Sequence, residues 1–291
     1  MTTRQPLHLH DDKVEELEKR ANDIRKDLIK MLEHAGSGHS AGPLGMADIF
    51  TAFYFHILNH RPKQPDWKDR DRLILSNGHI CPIRYVAMAH AGYFPKKELM
   101  TLRQFGSRLQ GHPERDRLPG IETTSGPLGE GIAQASGMAY VARMNREAWR
   151  VFCVMGDGEL QEGICWESFL FIAKEKLANL TIIIDRNNIQ IDGFVEDITA
   201  EEPLRDKFES FGFHVIEVDG HNIEQFVDAT EEARAVYKKP TVIIAHTIPG
   251  KGVDFMEEKF EWHGKPPNAK EAKEALTQLR TLGGKIKSEH E

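Results

Sequence analysis

The segment VMGDGELQEG, residues 154–163, places Asp157 between two glycines directly after an apolar run. A dinucleotide-binding turn needs the GxGxxG spacing, which this segment does not have. Asp157 also puts a negative charge where a bound pyrophosphate would lie, and two anions repel each other unless a cation separates them. These residues therefore indicate either an ordinary Asp–Gly turn or a turn that binds a phosphate-bearing ligand through a divalent cation.

A second candidate ligand follows the next apolar run, in LTIIIDRNNIQIDG, where Asn187 comes just after the predicted strand. One helix and one strand separate it from Asp157, so two neighbouring parallel strands would bring the two loops side by side. Together with the backbone carbonyl of Ile189, these side chains form an oxygen set that suits Mg²⁺, with Ca²⁺ or Mn²⁺ as substitutes. GDG followed by NN at this spacing resembles the magnesium and diphosphate site of the thiamine-diphosphate enzymes.

An EF-hand is the competing calcium interpretation of the same segment. Asp185, Asn187 and Glu196 stand at positions 1, 3 and 12 of such a loop. The glycine that an EF-hand needs at position 6 is Gln190 here, which argues against it.

Four histidines stand beside glycines in predicted loops, and a histidine can give and take protons near neutral pH. They are His39 in SGHSAGPLG, His79 in SNGH, His112 in QGHP and His263 in WHGK. A single loop histidine is usually only solvated. All four, in this order around GPLGEG and GDGELQEG, resemble the N-terminal cofactor-binding part of transketolase over about residues 13–270.

The resemblance implies a role for each matching position. Asp157, Asn187 and the carbonyl of Ile189 would hold Mg²⁺. The residues implied to contact thiamine diphosphate are His79, Gly126, Pro127, Leu128, Gly156, Asp157, Gly158, Glu162, Asn187 and His263. Among them Leu128 would pack on the thiazolium ring and Gly126 would meet the aminopyrimidine. The residues implied to act in catalysis are His39, His79, His112, His263 and Glu162.

The implied reaction is that of the pentose phosphate pathway enzyme, the transfer of a two-carbon ketol unit from a ketose phosphate to an aldose phosphate. Transketolase also has a pyrimidine-binding and a C-terminal domain, which we expect on a complementary C-terminal transketolase subunit in an α₂β₂ assembly. Glu162 would then point toward a catalytic glutamate of that partner. The alternative for Glu162 is an acid that the helix dipole favours near a helix start.

Other assignments remain open at this stage. A 2-oxo-acid dehydrogenase alpha chain, a chain like deoxyxylulose-phosphate synthase and a non-catalytic cofactor-binding paralogue would each carry a thiamine-diphosphate turn. The sequence also departs from the family pattern at Ser40–Ala41 and at Ile80–Cys81, beside two of the histidines.

The elements that must position these residues alternate along the chain. Apolar runs at RLILS, RVFCVM, LTIIID, HVIEV and TVIIAHT are separated by helical patterns at 129–145, 164–176, 204–211 and 222–237. Earlier helices are predicted from about Val14 to Met31, with Asp11 or Asp12 as N-cap, and from Ala47 to Leu58. This alternation predicts an α/β fold with a parallel sheet covered by helices on both faces, which the resemblance identifies as a diphosphate-binding domain.

Composition bounds the remaining possibilities. The 291 residues carry a formal charge of −7 without a basic block, which argues against nucleic acid as a partner. No apolar run approaches a membrane span, and Cys81, Cys153 and Cys165 form no CxxC pair, so we expect a cytoplasmic protein with no membrane association. We expect one domain over residues 1–291, with a core at about 13–270 and a polar C-terminal helix and tail at 271–291.

Overall fold

A five-stranded parallel sheet forms the centre of the computed structural model, which describes residues 9–281. The strands are β1 (Arg72–Leu75), β2 (Val151–Gly156), β3 (Leu180–Arg186), β4 (Ile189–Gln190), β5 (Gly193–Phe194), β6 (His214–Asp219) and β7 (Thr241–His246). The sheet has the order β1–β2–β3–β7–β6, and β4 and β5 form a separate antiparallel hairpin. The predicted parallel sheet is confirmed.

Helices cover both faces of this sheet. They are α1 (Asp11–Ala35), α2 (Ala41–Gly45), α3 (Ala47–Ala52), α4 (Cys81–Ala91), α5 (Glu130–Met144), α6 (Gly163–Lys174), α7 (Val195–Ile198), α8 (Leu204–Ser210), α9 (Ile223–Ala235) and α10 (Ala269–Thr281). None of the helices in the described part of the chain is both long and apolar enough to span a bilayer.

Alternation along each strand divides the core into two apolar layers. In β2, Phe152 and Val154 belong to the layer shared with α1, α3, α4 and α9, whereas Cys153 and Met155 belong to the layer of α5, α6 and α8. A strand buried on both faces must be apolar at successive positions, which explains the near-continuous Val and Ile runs. The three cysteines are free and buried in this core.

Several element boundaries differ from the sequence prediction. The N-cap of α1 is His10, and Asp11 and Asp12 lie in the first turn, where their charge complements the helix dipole. The helix predicted over 47–58 changes after α3 into a π-helical turn at Phe53–Ile57. A helix is present at the C-terminal end of the described chain, over Ala269–Thr281.

That helix, α10, has an apolar face. Ala272, Ala275 and Leu279 are buried in the same layer as α1, and the side-chain amide of Asn22 in α1 donates to the carbonyl of Leu279 at 3.0 Å. The predicted tail beyond residue 281 lies outside the described residues.

Helix α5 approaches the end of β1 unusually closely. A Cβ atom added to Gly131 would lie 2.6 Å from the Cα atom of Ser76, a distance that the backbone cannot accommodate without a shift. Gly137, two turns later in the same helix, has nothing within 4 Å of such an atom and is exposed. The glycine at 131 is therefore required by packing, and the glycine at 137 is not.

We predict opposite effects of alanine at these two positions. Gly131→Ala should lower the free energy of unfolding by about 1–3 kcal/mol because it overpacks the contact with Ser76. Gly137→Ala should raise it by about 0.5–1 kcal/mol because alanine loses less backbone entropy in a helix. Urea unfolding followed by circular dichroism measures both, and equal stabilities of the two variants would contradict the packing argument.

Candidate cofactor and donor site

The segments with candidate functional residues lie at the carboxyl edge of the sheet. β1, β2 and β3 run in register, so that Gly156 at the end of β2 pairs with Asp185 near the end of β3. The backbone N–H of Asp157 then donates to the carbonyl of Asp185 at 3.2 Å. The predicted juxtaposition of the two loops is therefore present.

Asp157 is one of the enclosed polar side chains of this edge, with 1% of its surface exposed. Its Oδ2 atom accepts from the N–H of Asn188 at 2.6 Å and from Nη1 of Arg186 at 2.8 Å. Its Oδ1 atom accepts only from the N–H of Gly158, at 2.9 Å. Burial raises the pKa of this carboxyl, and the guanidinium of Arg186 opposes that shift.

Asn187 lies in the turn that wraps around Asp157. Its amide nitrogen donates to Asp185 at 2.9 Å, and its Oδ1 atom accepts from the N–H of Ile189 at 3.0 Å. Asp185 is itself buried and accepts from the hydroxyl of Thr247 at 2.5 Å. Burial, with the neighbouring charge of Asp157, raises the pKa of Asp185 to about 7.

The EF-hand alternative does not fit this segment. Residues 185–196 run from the end of β3 through the β4–β5 hairpin, whereas an EF-hand loop joins two helices. Within residues 9–281 no group of three or more His, Cys, Asp or Glu side chains could hold a metal ion. The predicted set is of a different kind, since it combines one carboxylate with an amide and a backbone carbonyl.

Arg186 is a site residue that sequence reasoning missed. Besides Asp157, its guanidinium pairs with Glu196 at 2.8 Å and with Glu202 at 3.1 Å, and these acids together raise its pKa against the effect of burial. The residue neutralises part of the acidic charge around Asp157. The signal available in the sequence was its position in the DRNN segment, next to the predicted ligand Asn187.

A cleft of about 390 Å³ opens beside this turn, lined by Asn187, Ile189, Phe194, His246, Ile248 and other residues of the β3 and β7 ends. Among the buried polar atoms without a hydrogen-bond partner within residues 9–281 are both side-chain atoms of Asn77, Oγ of Ser125 and Nδ1 of His39. Buried polar groups are nearly always paired, and a polar ligand bound beside these residues would supply partners for them.

Three of the four predicted histidines form one cluster. The ring centroids of His39 and His79 are 5.0 Å apart, those of His79 and His263 are 5.1 Å apart, and those of His39 and His263 are 5.5 Å apart. His112 lies at the exposed rim, where its ring would be 3.8 Å from a Cβ atom added to Gly126. The structure thus places His112 next to the GPLG loop, which we define as residues 126–129.

Burial keeps the clustered imidazoles neutral. It lowers the pKa of His39 to about 4, with further lowering by His263, Arg103 and His112. The pKa of His79 falls well below its ordinary value, and that of His263 is also lowered, in both cases chiefly by burial. Neutral imidazoles carry one donor and one acceptor nitrogen each, so the cluster can both accept and donate hydrogen bonds to a hydroxylated ligand.

Glycines allow the GPLG loop to enter the site closely. Gly126 has a φ of 159°, which is close to extended, while Gly129 has a φ of 81°, in the left-handed region that favours glycine. Pro127 is exposed and Leu128 half-buried between them. Leu128 is therefore available to a ligand at the surface of the loop.

The departures from the family pattern have local structural roles. The hydroxyl of Ser40 donates to the carbonyl of Lys265 at 2.6 Å and thereby joins the loop of His39 to the loop of His263. The thiol of Cys81 donates to the carbonyl of Gly111 at 3.2 Å, next to His112. Ser40 and Cys81, which differ from the family pattern, therefore connect the histidine loops to one another rather than line a surface.

Glu162 stands at the N-cap of α6 with an exposed side chain and makes no side-chain capping hydrogen bond. The helix-dipole alternative does not depend on such a bond, since a negative charge is favoured at this position by the dipole alone. The neighbouring Glu159 is the acid of this turn that faces inward, with 2% of its surface exposed, and sequence reasoning passed over it.

Comparisons with known proteins agree with this geometry. Residues 17–284 match the family model described as transketolase, thiamine diphosphate binding domain. The chain is 38% identical over 268 residues to a 6-deoxy-6-sulfo-D-fructose transketolase subunit of Clostridium sp., covering 92% of this chain and 98% of the relative. It is 39% identical over 267 residues to an apulose-4-phosphate transketolase subunit of Actinobacillus succinogenes, covering 91% of this chain and 96% of the relative.

A solved structure shows the same similarity in three dimensions. The transketolase of Campylobacter jejuni superposes with a TM-score of 0.85 at 36% identity. The match covers 91% of this chain and 42% of that one. The chain therefore spans less than half the length of that enzyme but nearly the full length of the two relatives named as subunits.

We predict that the buried histidines stay uncharged through the neutral range. In nuclear magnetic resonance titrations, the His39 imidazole should show no protonation between pH 8 and pH 6, because its pKa is lowered to about 4. In the chain unfolded in urea, the same imidazole should titrate at about pH 6.5. Because the unfolded histidine takes up its proton first, this residue makes the folded chain less stable as the pH falls from ~6.5 toward 4.

The His39→Gln variant identifies the resonance by removing it. A His39 signal that titrates near pH 6.5 in the folded chain would show that the cluster is hydrated and not enclosed.

Proposed function

Because the chain belongs to the transketolase family, we propose that it supplies the thiamine-diphosphate-binding half of a two-chain active site. In this function a two-carbon ketol unit passes from a ketose phosphate to an aldose phosphate. The observations that carry the proposal are the contact of Asp157 with the Asn187–Asn188 turn and, after the end of the neighbouring strand β1, the cluster of His79 with His39 and His263. The family match favours this assignment over a 2-oxo-acid dehydrogenase alpha chain and a deoxyxylulose-phosphate synthase.

The diphosphate end of the cofactor belongs beside Asp157. Oδ1 of this residue holds only the neighbouring N–H of Gly158, so it is free to bind Mg²⁺ while Oδ2 keeps its bonds to Arg186 and Asn188. Asn187 Oδ1 and the carbonyl of Ile189 complete the protein ligands. Gly156 and Gly158 keep the turn free of side chains, and Asn77 is a further polar group in reach of it, since its amide lies 3.8 Å from a Cβ atom added to Gly156.

The histidines serve both the cofactor and the donor sugar in this proposal. When bound, thiamine diphosphate supplies the carbanion chemistry that breaks and forms the carbon–carbon bond. His79 and His263 lie where they can bind the diphosphate, and His39 and His112 lie where they can hold the ketose hydroxyls. As neutral groups, these imidazoles can accept a hydroxyl proton and return it later in the reaction.

In this proposal a second polypeptide completes the active site. Two relatives that this chain covers almost end to end bear the word subunit in their names, whereas the full transketolase of Campylobacter jejuni is more than twice as long as the matched part. We propose that a chain with the pyrimidine-binding and C-terminal domains completes the site and that two copies of each form an α₂β₂ complex. We propose that Glu162, whose carboxylate is exposed, reaches toward that partner.

The remaining expectations complete the proposal. The chain would form a single diphosphate-binding domain and act in the cytoplasm, in pentose phosphate metabolism. The two relatives are named for different ketoses, one a sulfosugar and the other a phosphosugar. We propose a ketose phosphate as the donor for this chain, the class named for the second relative.

Reconstitution tests the two-chain proposal. We expect ketol transfer from a ketose phosphate to an aldose phosphate, measured with Mg²⁺ and thiamine diphosphate, only when this chain is mixed with a C-terminal transketolase subunit. Full activity of this chain alone would contradict the need for a partner, and a mixture that fails to bind thiamine diphosphate would contradict the cofactor assignment.

We predict that Asp157→Asn abolishes Mg²⁺-dependent cofactor binding without unfolding the chain. The amide keeps the size of the side chain but removes the charge that attracts the cation, and a loss of at least tenfold in affinity is about 1.4 kcal/mol. Asp192→Asn, at an exposed position of the β4–β5 turn, is the matched control. Calorimetric titration measures both, and unchanged affinity of Asp157→Asn would remove the metal role.

A further inference from the structure

Glu159 is a buried acid for which the proposed cofactor roles have no use. It lies in the turn GDGELQEG two residues after Asp157, and only 2% of its surface is exposed. Oε1 accepts from the hydroxyl of Ser76 and from the N–H of Gly129, the latter at 2.6 Å. Oε2 accepts from the N–H of Gly156 at 3.1 Å.

The three donors belong to three separate segments. Ser76 follows β1, Gly156 ends β2, and Gly129 ends the GPLG loop and forms the N-cap of α5. One carboxylate therefore joins the ends of two strands to the loop that faces the cofactor. Of the hydrogen bonds described for the GPLG loop, the bond to Glu159 is the one that ties its backbone to the GDG turn.

Packing at Gly129 is close as well. A Cβ atom on Gly129 would lie 2.4 Å from Cγ2 of Ile164, 3.2 Å from Sγ of Cys165 and 3.3 Å from Cβ of Glu162. The loop backbone thus lies directly against the start of α6, which limits its approach to that helix. The carboxylate of Glu159 adds a directional hydrogen bond to this contact.

We propose that Glu159 is a positioning residue, which holds the GPLG loop at the distance from Asp157 that thiamine diphosphate must span. The inference rests on the proposed function for the contacts of Gly126 and Leu128 with the cofactor. Asp157 would bind the diphosphate end and the GPLG loop the ring end, so their separation must match the length of one molecule. Glu159 sets this separation because it bonds to the loop and follows Asp157 by two residues.

The chemistry of the carboxylate fits this role better than that of an amide. Two oxygens receive three donors, and an amide in the same place would turn an NH₂ group toward one of the backbone N–H groups. Hydrogen bonds to a charged acceptor are about twice as strong as those to a neutral one. Burial raises the pKa of this carboxyl to about 7, against the effect of its three donors.

The test compares Glu159→Gln with Glu130→Gln. Glu130 is exposed and adjacent to Gly129, so its variant makes the same charge change without touching the bonds of the turn. We expect Glu159→Gln to bind thiamine diphosphate with Mg²⁺ about tenfold more weakly, in complex with the C-terminal subunit, and Glu130→Gln to match the wild type. At saturating cofactor, kcat should fall less than the cofactor affinity.

Hydrogen exchange of the isolated chain gives a readout that does not depend on the cofactor. The amides of Gly129 and Gly156 should exchange faster in Glu159→Gln, while amides in the middle of β3 keep their protection. Ser76→Ala removes only the hydroxyl donor and should give a smaller change of the same kind. This variant decides the question if Glu159→Gln does not fold.

The outcomes separate the inference from the proposed function. Wild-type complex that does not bind thiamine diphosphate would overturn the proposed function and the inference with it. Wild-type complex that binds, together with normal affinity and normal exchange in the folded Glu159→Gln variant, would overturn only the positioning role. Weaker binding with faster exchange at Gly129, and no change in Glu130→Gln, would establish it.

Discussion

The in-register parallel pairing of β2 with β3 is the constraint on which the site depends. Because Gly156 pairs with Asp185, the turns that follow both strands begin at the same level of the sheet. A shift of one residue would turn Asp157 away from the Asn187 turn and would move every core side chain of β2 to the opposite apolar layer. The two apolar layers of the core thus fix the geometry of the polar edge.

Balancing charge is the second demand at this edge. Asp157, Asp185 and Glu159 are all buried, and burial raises the pKa of each of them. Their oxygens accept from backbone N–H groups, hydroxyls and the guanidinium of Arg186, which keeps the cost of burying them low. A divalent cation could bind to this arrangement without rearranging it. Within the described residues, one oxygen of Asp157 accepts only from the adjacent amide of Gly158.

Sequence reasoning succeeded where chemistry depends on residue type and spacing along the chain. The strand and helix alternation predicted the sheet, and the GDG and NN segments predicted two adjacent turns because parallel strands end at one edge. The features that it missed depend on contacts between distant segments. The partners of Glu159, the ion pairs of Arg186 and the bond from Ser40 to Lys265 join residues that no local pattern relates. The burial of α10 against α1 is of the same kind.

The acids in GDGELQEG face in different directions, as the proposed two-chain site requires. Asp157 and Glu159 point into the domain, where the first is the proposed metal ligand and the second bonds to the GPLG loop. Glu162 starts α6 and points outward, yet its Cβ atom lies close to Gly129, which Glu159 holds. A partner that contacts Glu162 would therefore act on the backbone segment that also carries Leu128. In such an arrangement, assembly with the partner and the position of the cofactor loop depend on each other through a single glycine.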